Sequence, residues 1–426
     1  MFYPPSVGTI LAGEERTAQG CRCILSSKTF FKKGETNMKN TTALEYCTSP
    51  VSGPALYLSF ELSLKTWKLG FIRGLADKPR IRSIKSGDLQ ALEREICRAR
   101  RHFNLPEDAP VYSCYEAGRE GFSVHRALEQ RGIDNIIMDS SSIEVPRGKR
   151  AVKTDRLDVG KLGRLLFRYH NAERQVCSVV RVPTVEEEDR RHLHREMDVL
   201  KAELTAQGSR IKSLLMTQGI YVRGSVRRLT KKRLEELQTL DGRPLPPGLR
   251  ERVSRDLQRW QATEQALKAR RQERRQILTQ QTDDEIVQKV LTLMKFRAIG
   301  VESAWLLVME LFSWRKFRNR RQVGAMSGMT GVHHASGHTH YDRGVSRCAN
   351  YRVRALLVEL AWAWVRNQPD SEISRWYRRR FGSGSKRVRK IGIVAVARRL
   401  TVALWRLLEY GEIPAGAEFR QRPPRL

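Results

Sequence analysis

The sequence predicts an α/β domain followed by an all-α region, and three patterns along the chain support this fold class. Alternating apolar residues predict an antiparallel strand pair, Ala55–Glu61 and Lys65–Ile72. Short β-prone runs then alternate with helical periods up to about residue 170, which is typical of a mixed sheet with packed helices. Long charged stretches with apolar residues at helical spacing follow.

Each further element of the α/β region has its own periodic signature. Apolar residues recur at helical spacing in Asp88–Phe103 and Gly121–Arg131. Short β-prone runs, Pro110–Glu116 and Asn135–Met138, predict two more strands. The order of these elements indicates one mixed sheet with helices packed on it.

The rest of the chain is predicted to be helical. His192–Met216 and Asp256–Leu278 have the spacing of long helices that pair as a coiled coil, with a break at Asp241–Gly248. A compact helical domain is expected next, and then a basic loop, one more helix and a Pro/Arg tail. The predicted divisions are an N-terminal arm (1–54), an α/β domain (55–184), a long helical region (185–288), a helical domain (289–366) and a basic C-terminal segment (367–426).

The composition indicates a polyanionic partner. The 426 residues carry a formal net charge of +33, and 40% of them are apolar, which is enough for hydrophobic cores. Basic residues are spread along the whole chain instead of forming one juxtamembrane cluster, so DNA or RNA is favoured over a membrane surface. The scattered cysteines and the lack of a signal-peptide pattern predict a cytoplasmic location. Met38 is as good a start as Met1.

Acidic residues recur at predicted strand and helix ends of the α/β region. In Lys153-Thr-Asp155-Arg-Leu-Asp158 the aspartates are three residues apart, so a helix would present both on one face. Glu61 and Glu116 each end a predicted strand. Carboxylates that converge in this way can hold two metal ions that activate a nucleophile on a phosphodiester, and Lys153 beside them would bind the nucleic acid. The alternative is a helix-capping Asp155 and a solvated Asp158.

A second pattern, Leu293–Leu307, has the features of a helix–turn–helix. Gly300 can close a tight turn, and the backbone N–H groups at the start of the next helix can bind phosphate without reading sequence. An ordinary helical hairpin explains the pattern equally well.

Ser336 lies in a glycine-flanked stretch, Gly328–Gly337, that predicts an exposed loop. A serine on such a loop is accessible enough to act as a nucleophile. Guanidinium groups bind phosphates in a bidentate manner, and four arginines follow the serine at positions that could surround it: Arg343, Arg347, Arg352 and Arg354. A solvated basic loop is the alternative.

These patterns, in this order, resemble the insertion-sequence-110 family of transposases. The family's Lys-Thr-Asp-x-x-Asp-Ala motif matches Lys153–Val159, and its first-strand motif aligns with Ser59–Trp67. The Gly-Ile-Gly of the family's helix–hairpin–helix matches Ala298–Gly300, and its serine motif matches the stretch Gly328–Arg354. The resemblance covers roughly Ala55–Trp364.

The resemblance implies a RuvC-like (RNase H-like) domain with a DEDD set of acids and a C-terminal transposase domain. Glu61, Glu116, Asp155 and Asp158 would then bind Mg²⁺, and Ser336 would be the nucleophile that forms a covalent phosphoserine. The acids of one subunit would face the serine of another in a dimer or tetramer. A structured non-coding RNA would pair with donor and target DNA. The protein would act in the bacterial cytoplasm, in association with the nucleoid.

Three positions differ from the family pattern: Glu61 stands for Asp, Gly331 for Pro and Ala298 for Gly. The leading hypothesis is an RNA-guided DNA transposase that requires Ser336. A RuvC-like nuclease or junction resolvase would need the paired aspartates but not this serine. An inactive nucleic-acid-binding remnant of a transposase would need neither.

Overall fold

The computed structural model describes residues 53–143, 155–336, 339–345 and 349–421, and within them it describes only the backbone of residues 155–157, 332–336 and 339–343. Lys153, Arg347 and nearly all of the expected N-terminal arm therefore lie outside the described residues. In the part of the chain that is described, no helix is both long and apolar enough to cross a membrane.

The N-terminal part of the described chain forms a five-stranded mixed sheet. Its elements, in chain order, are β1 (Leu56–Glu61), β2 (Thr66–Ile72), β3 (Arg80–Lys85), α1 (Leu89–His102), β4 (Val111–Glu116), α2 (Ser123–Glu129) and β5 (Asp134–Met138). The strand order is β3-β2-β1-β4-β5. β1 and β2 pair antiparallel, as the sequence predicted, and β2 and β3 continue that pattern. β1, β4 and β5 run parallel.

Both faces of this sheet are covered by apolar packing. On one face Leu58 and Phe60 of β1 pack with Leu92 and Ile96 of α1. The opposite face packs against helix α3 (Asp155–His170). Because strand side chains alternate between faces, one strand such as β1 contributes to both layers.

The middle of the chain is helical, as predicted. It contains α4 (Val185–Asp189), α5 (His192–Met216), α6 (Lys231–Glu235) and α7 (Pro247–Gln280). α4 starts with a capping box between Thr184 and Glu187, which satisfies two N–H groups at the helix start. The long helices α5 and α7 pack along each other, and α7 begins earlier than the sequence pattern suggested because Pro247 suits the first turn of a helix.

The C-terminal part combines helices with a β-hairpin around one apolar core. Its elements are α8 (Glu285–Met294), α9 (Val301–Leu307), α10 (Arg320–Met326), β6 (Gly331–Ser336), β7 (Thr339–Val345), α11 (Tyr351–Asn367), α12 (Glu372–Phe381) and α13 (Lys386–Tyr410). Phe296, Trp364 and Leu404 are fully buried in this core.

The structure corrects three expectations from the sequence. Strand β3 was not predicted, and the basic loop expected after Ser371 is instead helix α12. Gly300 separates two helices, α8 and α9, as expected, but its φ of −88° and ψ of 172° are open to any residue. The backbone at Gly300 is therefore extended and accessible to residues other than glycine.

Candidate active site

The two predicted strand-end acids lie side by side at one edge of the sheet. β1 and β4 are parallel neighbours, and Phe60 pairs with Tyr115 in their register. The next residue of each strand is its last one, Glu61 in β1 and Glu116 in β4. The register therefore brings both glutamates to the same point on the carboxyl edge of the sheet.

The face on which Glu61 projects follows from its neighbours in β1. Phe60 is buried in the core on the α1 side. Ser59 points the opposite way, because its Oγ donates a hydrogen bond of 2.7 Å to the backbone carbonyl of Val159 in α3. Residues two apart in a strand share a face, so Glu61 projects on the side of the sheet that α3 covers.

The same reasoning applies to Glu116 in β4. Tyr115 is buried on the α1 side of the sheet. Cys114 is fully buried on the α3 side, where its thiol lies 3.7 Å from the backbone carbonyl of Leu162. Glu116, two residues after Cys114, is exposed and projects on the α3 side as well.

Helix α3 runs antiparallel to β1 and β4, which brings its first residues to the glutamates. Its last residue, His170, contacts Tyr112 near the start of β4, with ring centroids 4.2 Å apart. Val159, near the beginning of the helix, contacts Ser59 close to the end of β1. Asp158 therefore lies toward the edge that bears Glu61 and Glu116. The backbone of Asp155 lies about 4.5 Å further along the helix axis, at 1.5 Å per residue; its side chain lies outside the described atoms.

Lysines lie beside the acids of this edge. Lys161 places its Nζ 3.8 Å from Asp158 Oδ1, and Lys68 on β2 lies directly opposite Glu61 in the register. Carboxylate oxygens are the ligands that Mg²⁺ prefers, so the donor chemistry of this edge fits the ion. Among the described side chains, however, no three His, Cys, Asp or Glu residues are close enough to hold a metal.

The sequence predicted a loop around Ser336, but the structure has two antiparallel strands there, β6 and β7. Ser336 is the last residue of β6. In the antiparallel register of β6 and β7, Ser336 lies opposite Thr339. A bulge or irregularity interrupts the pairing between Gly331 and His333. The backbone of Arg343 lies in β7, whereas Gly337 is outside the described residues. The backbone of Ser336 is thus at the end of a strand that pairs with β7.

Two arginines of the predicted phosphate-binding set, Arg352 and Arg354, have described side chains. Both lie on α11 and point in different directions. Arg352 places its Nε 3.4 Å from Asp198 Oδ2 on α5 and its guanidinium 4.8 Å above the Tyr351 ring. Arg354 packs instead near Gly328. Residues two apart lie on different faces of a helix. These two arginines therefore do not form one cluster with each other.

The sequence did not predict a buried network that leads to the start of α11. Its centre is Glu310, which is 1% exposed in a π-helical turn, Val308–Phe312. The carboxylate of Glu310 lies 2.8 Å from His194 Nε2 and accepts from Arg195 Nε at 2.7 Å and Nη2 at 3.0 Å. Oε2, which accepts from Arg195 Nη2, also accepts from Asn350 Nδ2 at 2.8 Å, whereas His194 and Arg195 Nε contact Oε1. Asn350 caps α11, just after the segment that follows the serine hairpin.

The electrostatics of this network favour an ionised Glu310. Burial raises the pKa of Glu310, but the hydrogen bonds from His194 and Arg195, together with the charge of Arg195, outweigh burial and hold the pKa well below its usual range. In turn, the hydrogen bond to Glu310 raises the pKa of Arg195 although burial acts in the opposite direction. The ionised carboxylate thus links α5 to Asn350, the N-cap residue of α11. Glu310 itself lies in a π-helical turn, and such turns are frequent at functional sites.

The signal that could have revealed this network is a single acid in an apolar run. Between Trp305 and Phe312 every residue except Glu310 is apolar. A carboxylate in such a run is rarely buried without partners. The partners themselves come from α5 and α11, and no local pattern points to them.

Comparisons with known proteins show the family to which the chain belongs. The family model described as "Transposase IS116/IS110/IS902 family" matches residues 291–378. A Sinorhizobium fredii protein named "Putative transposase y4rJ" is 36% identical over 374 residues, which is 85% of this chain and 94% of that protein. A Pseudomonas aeruginosa protein named "Probable family 20 transposase" is 28% identical over 240 residues, 56% of this chain and 68% of that protein. The chain therefore belongs to the IS116/IS110/IS902 family of transposases.

Proposed function

We propose that this transposase cuts and rejoins DNA with two chemical parts, a Mg²⁺-binding set of acids and a serine nucleophile. The acids are Glu61, Glu116, Asp155 and Asp158, and the nucleophile is Ser336. The observation that carries the proposal is the meeting of β1, β4 and the beginning of α3 at one edge of the sheet. Carboxylates from three separate elements that lie toward one edge support a metal site that acts on a phosphodiester.

In the serine step, the Oγ of Ser336 forms a bond to a DNA phosphorus as the bond between that phosphorus and one sugar oxygen breaks. The serine hydroxyl gives up its proton, the departing sugar oxygen takes up one, and the phosphate remains attached to the serine. A sugar hydroxyl of a second DNA end reverses the step and releases the serine, so no external energy source is needed. Bound Mg²⁺ supplies stabilisation of the negative charge that develops on the phosphate oxygens.

The proposal includes a RuvC-like sheet domain and a guide RNA. An antiparallel hairpin extended by two parallel strands, with acids at the ends of β1 and β4, supports the RuvC-like assignment. The net charge of +33 supports the binding of two polyanions at once, DNA and a structured RNA. Attack of Ser336 on DNA phosphates, supported by the Mg²⁺ that the acids would hold and directed by the paired RNA, would make the chain an RNA-guided recombinase.

The experiment compares Ser336→Ala with Asp158→Asn in a recombination assay that contains both DNA partners and the RNA encoded beside the gene. Under the proposal each variant binds nucleic acid as the wild type does and neither recombines DNA. Recombination by Ser336→Ala at the wild-type level would reject the serine and favour a nuclease without serine chemistry. Binding without cleavage by the wild type, with Mg²⁺ and under every other condition tried, would favour an inactive remnant.

A mixing experiment tests whether acids and serine from different subunits combine. Ser336→Ala and Asp158→Asn chains are each inactive alone under the proposal. If the working site takes acids from one subunit and the serine from another, a mixed oligomer contains one intact combination and regains activity. Complete inactivity of mixed oligomers, with co-purification of the two chains as the control for mixing, contradicts a site shared between subunits.

A further inference from the structure

The end of α12 and the beginning of α13 form a basic surface far along the chain from the residues discussed above. Exposed cations from both helices contribute to it: Arg375, Arg378, Arg379, Arg380, Lys386, Arg387, Arg389 and Lys390. This set is named the basic corner. No acidic residue occurs in the sequence between Glu372 and Glu409. A charge cluster of one sign, without local neutralisation, is typical of a surface that binds a polyanion.

The ion pairs near the basic corner lie outside it. Further along α13, Arg399 lies 3.4 Å from Glu372 and Arg406 lies 3.5 Å from Glu412. Within the basic corner, no described carboxylate lies within 4.0 Å of a cation. Arg378 hydrogen-bonds the backbone carbonyl of Pro369, which is a neutral group. The charge of the corner is therefore available to a partner, whereas Arg399 and Arg406 are paired with carboxylates.

The basic corner is held in shape by packing beneath it. Phe381, at the end of α12, lies against Gly392 of α13 so closely that a Cβ on that glycine would be 2.5 Å from the ring. Tyr377 stacks on Phe381 with ring centroids 6.1 Å apart. The two helices thus meet at a fixed angle. A rigid array of cations binds a phosphate chain with a smaller loss of entropy than a flexible tail does.

One face of α13 contributes both charge and apolar surface to the basic corner. Lys386, Arg387 and Lys390 lie there beside Ile391 and Val394. The Ile391 side chain is 56% exposed, so an apolar surface is accessible between the cations. This combination fits a sugar–phosphate chain, whose phosphates lie toward the cations and whose sugar ring contacts the aliphatic side chain.

We propose that the basic corner binds the phosphate backbone of duplex DNA. Proteins that hold single strands use exposed aromatic rings for base stacking. The aromatic side chains of the basic corner are already packed: Tyr377 is buried, Trp376 is covered by the Arg399 guanidinium, and Phe381 lies against Gly392. The proposal goes beyond the serine and acid chemistry above and depends only on DNA being the substrate of a transposase.

The test uses two triple variants of the full-length protein with the same loss of charge. One carries Lys386→Gln, Arg387→Gln and Lys390→Gln. The matched control carries Lys231→Gln, Lys232→Gln and Arg233→Gln, which remove exposed cations from α6. Binding to a fluorescent DNA duplex is measured by anisotropy without Mg²⁺ from 50 to 200 mM salt, and a thermal melt of each variant checks that the fold is retained.

Loss of three phosphate contacts makes the slope of log affinity against log salt shallower by about 2.7. The ratio of the wild-type DNA affinity to that of the basic-corner variant is then about 40-fold larger at 50 mM salt than at 200 mM. A charge-retaining variant, Lys386→Arg with Arg387→Lys and Lys390→Arg, keeps the wild-type slope. An unchanged slope, equal changes in both triple variants, or a change seen with duplex RNA alone overturns the proposal.

Because this assay measures binding and no DNA is cut in it, its result is independent of the serine step. A chain that fails to recombine DNA could still show the salt dependence expected of the basic corner. Conversely, an active transposase with an unchanged slope would reject the basic corner and leave the proposed chemistry in place.

Discussion

Replacement of the buried acid Glu310 by glutamine tests the network that ties α5 to α11. In the wild type this carboxylate accepts hydrogen bonds from Arg195 and Asn350 and contacts the ring of His194. Every one of these partners can present a hydrogen-bond donor. A glutamine at 310 keeps the shape of the side chain but offers one acceptor oxygen, and its NH₂ group faces other donors.

The expected cost follows from burial. Removal of one partner of a buried ion pair costs about 3–5 kcal/mol, because the other charge remains buried without compensation. The Arg195 side chain is 37% exposed, so water can solvate part of its charge. We therefore expect the free energy of unfolding to fall by about 3 kcal/mol, at the low end of that range. The control, Glu359→Gln, removes one negative charge from an exposed position on α11. It should alter the free energy of unfolding by less than about 0.5 kcal/mol.

The effect should also depend on pH. The pKa of Glu310 is lower in the folded chain than in the unfolded chain, so its ionisation stabilises the fold above the unfolded value of about 4.3. This contribution is lost as the pH falls through the lower folded pKa. The difference in stability between wild type and Glu310→Gln should therefore be constant near neutral pH and shrink in acid.

Urea titration followed by tryptophan fluorescence measures these differences, and the recombination assay measures their consequence. Glu310→Gln should unfold at a lower urea concentration than Glu359→Gln at pH 7, and it should recombine DNA more slowly because Asn350 loses its anchor. Equal urea midpoints for the two variants, or a gap between them that widens as the pH falls below about 4, would refute the reasoning.

Three further changes test other parts of the structure. Gly70→Ala should lower the melting temperature, because its Cβ would lie 2.2 Å from Val159 Cγ1 and overpacking of a core costs about 1–3 kcal/mol. Glu116→Gln should leave the melting temperature unchanged, since the side chain is exposed, yet should lower Mg²⁺-dependent DNA cleavage at least about tenfold, a loss of about 1.4 kcal/mol of transition-state stabilisation. Asn350→Ala should cost about 2–3 kcal/mol of stability, measured by urea titration, because it removes both a helix cap and a hydrogen bond to the ionised Glu310, and it should slow recombination.

Local periodicity was sufficient to predict most of the sheet domain. Alternation in Ala55–Glu61 and in Lys65–Ile72 predicted the hairpin of β1 and β2 within one residue of its observed ends. Strand β3 has the sequence Arg80-Ile-Arg-Ser-Ile-Lys85, in which charged residues outnumber apolar ones. It lies at the edge of the sheet and buries little, so its pattern is weak.

The candidate site was predictable in its residue types but not in its geometry. The acids Glu61, Glu116 and Asp158 stand out because each ends a strand or begins a helix. Their meeting on one face depends on the parallel register of β1 with β4 and on the antiparallel direction of α3, which only the fold supplies. The glycines near Ser336 predicted a loop. Its place in a strand depends on pairing with Thr339 of β7, and a local pattern does not show that pairing.

The Glu310 network shows the limit of local patterns more clearly. Glu310 is separated from Arg195 by 115 residues, and their contact depends on how α5 lies against the C-terminal core. Burial of a carboxylate is tolerated only because donors from two distant helices surround it. A sequence pattern can mark the unusual acid but cannot name its partners.

The most direct test of the proposed chemistry is to look for DNA attached to the serine. The wild-type protein is incubated with its DNA and RNA partners and Mg²⁺, denatured during the reaction and digested, and the peptide that contains residue 336 is analysed by mass spectrometry. The proposal predicts a phosphate-linked nucleotide on Ser336 that is absent from Ser336→Ala. Efficient recombination without any adduct on this residue would contradict it.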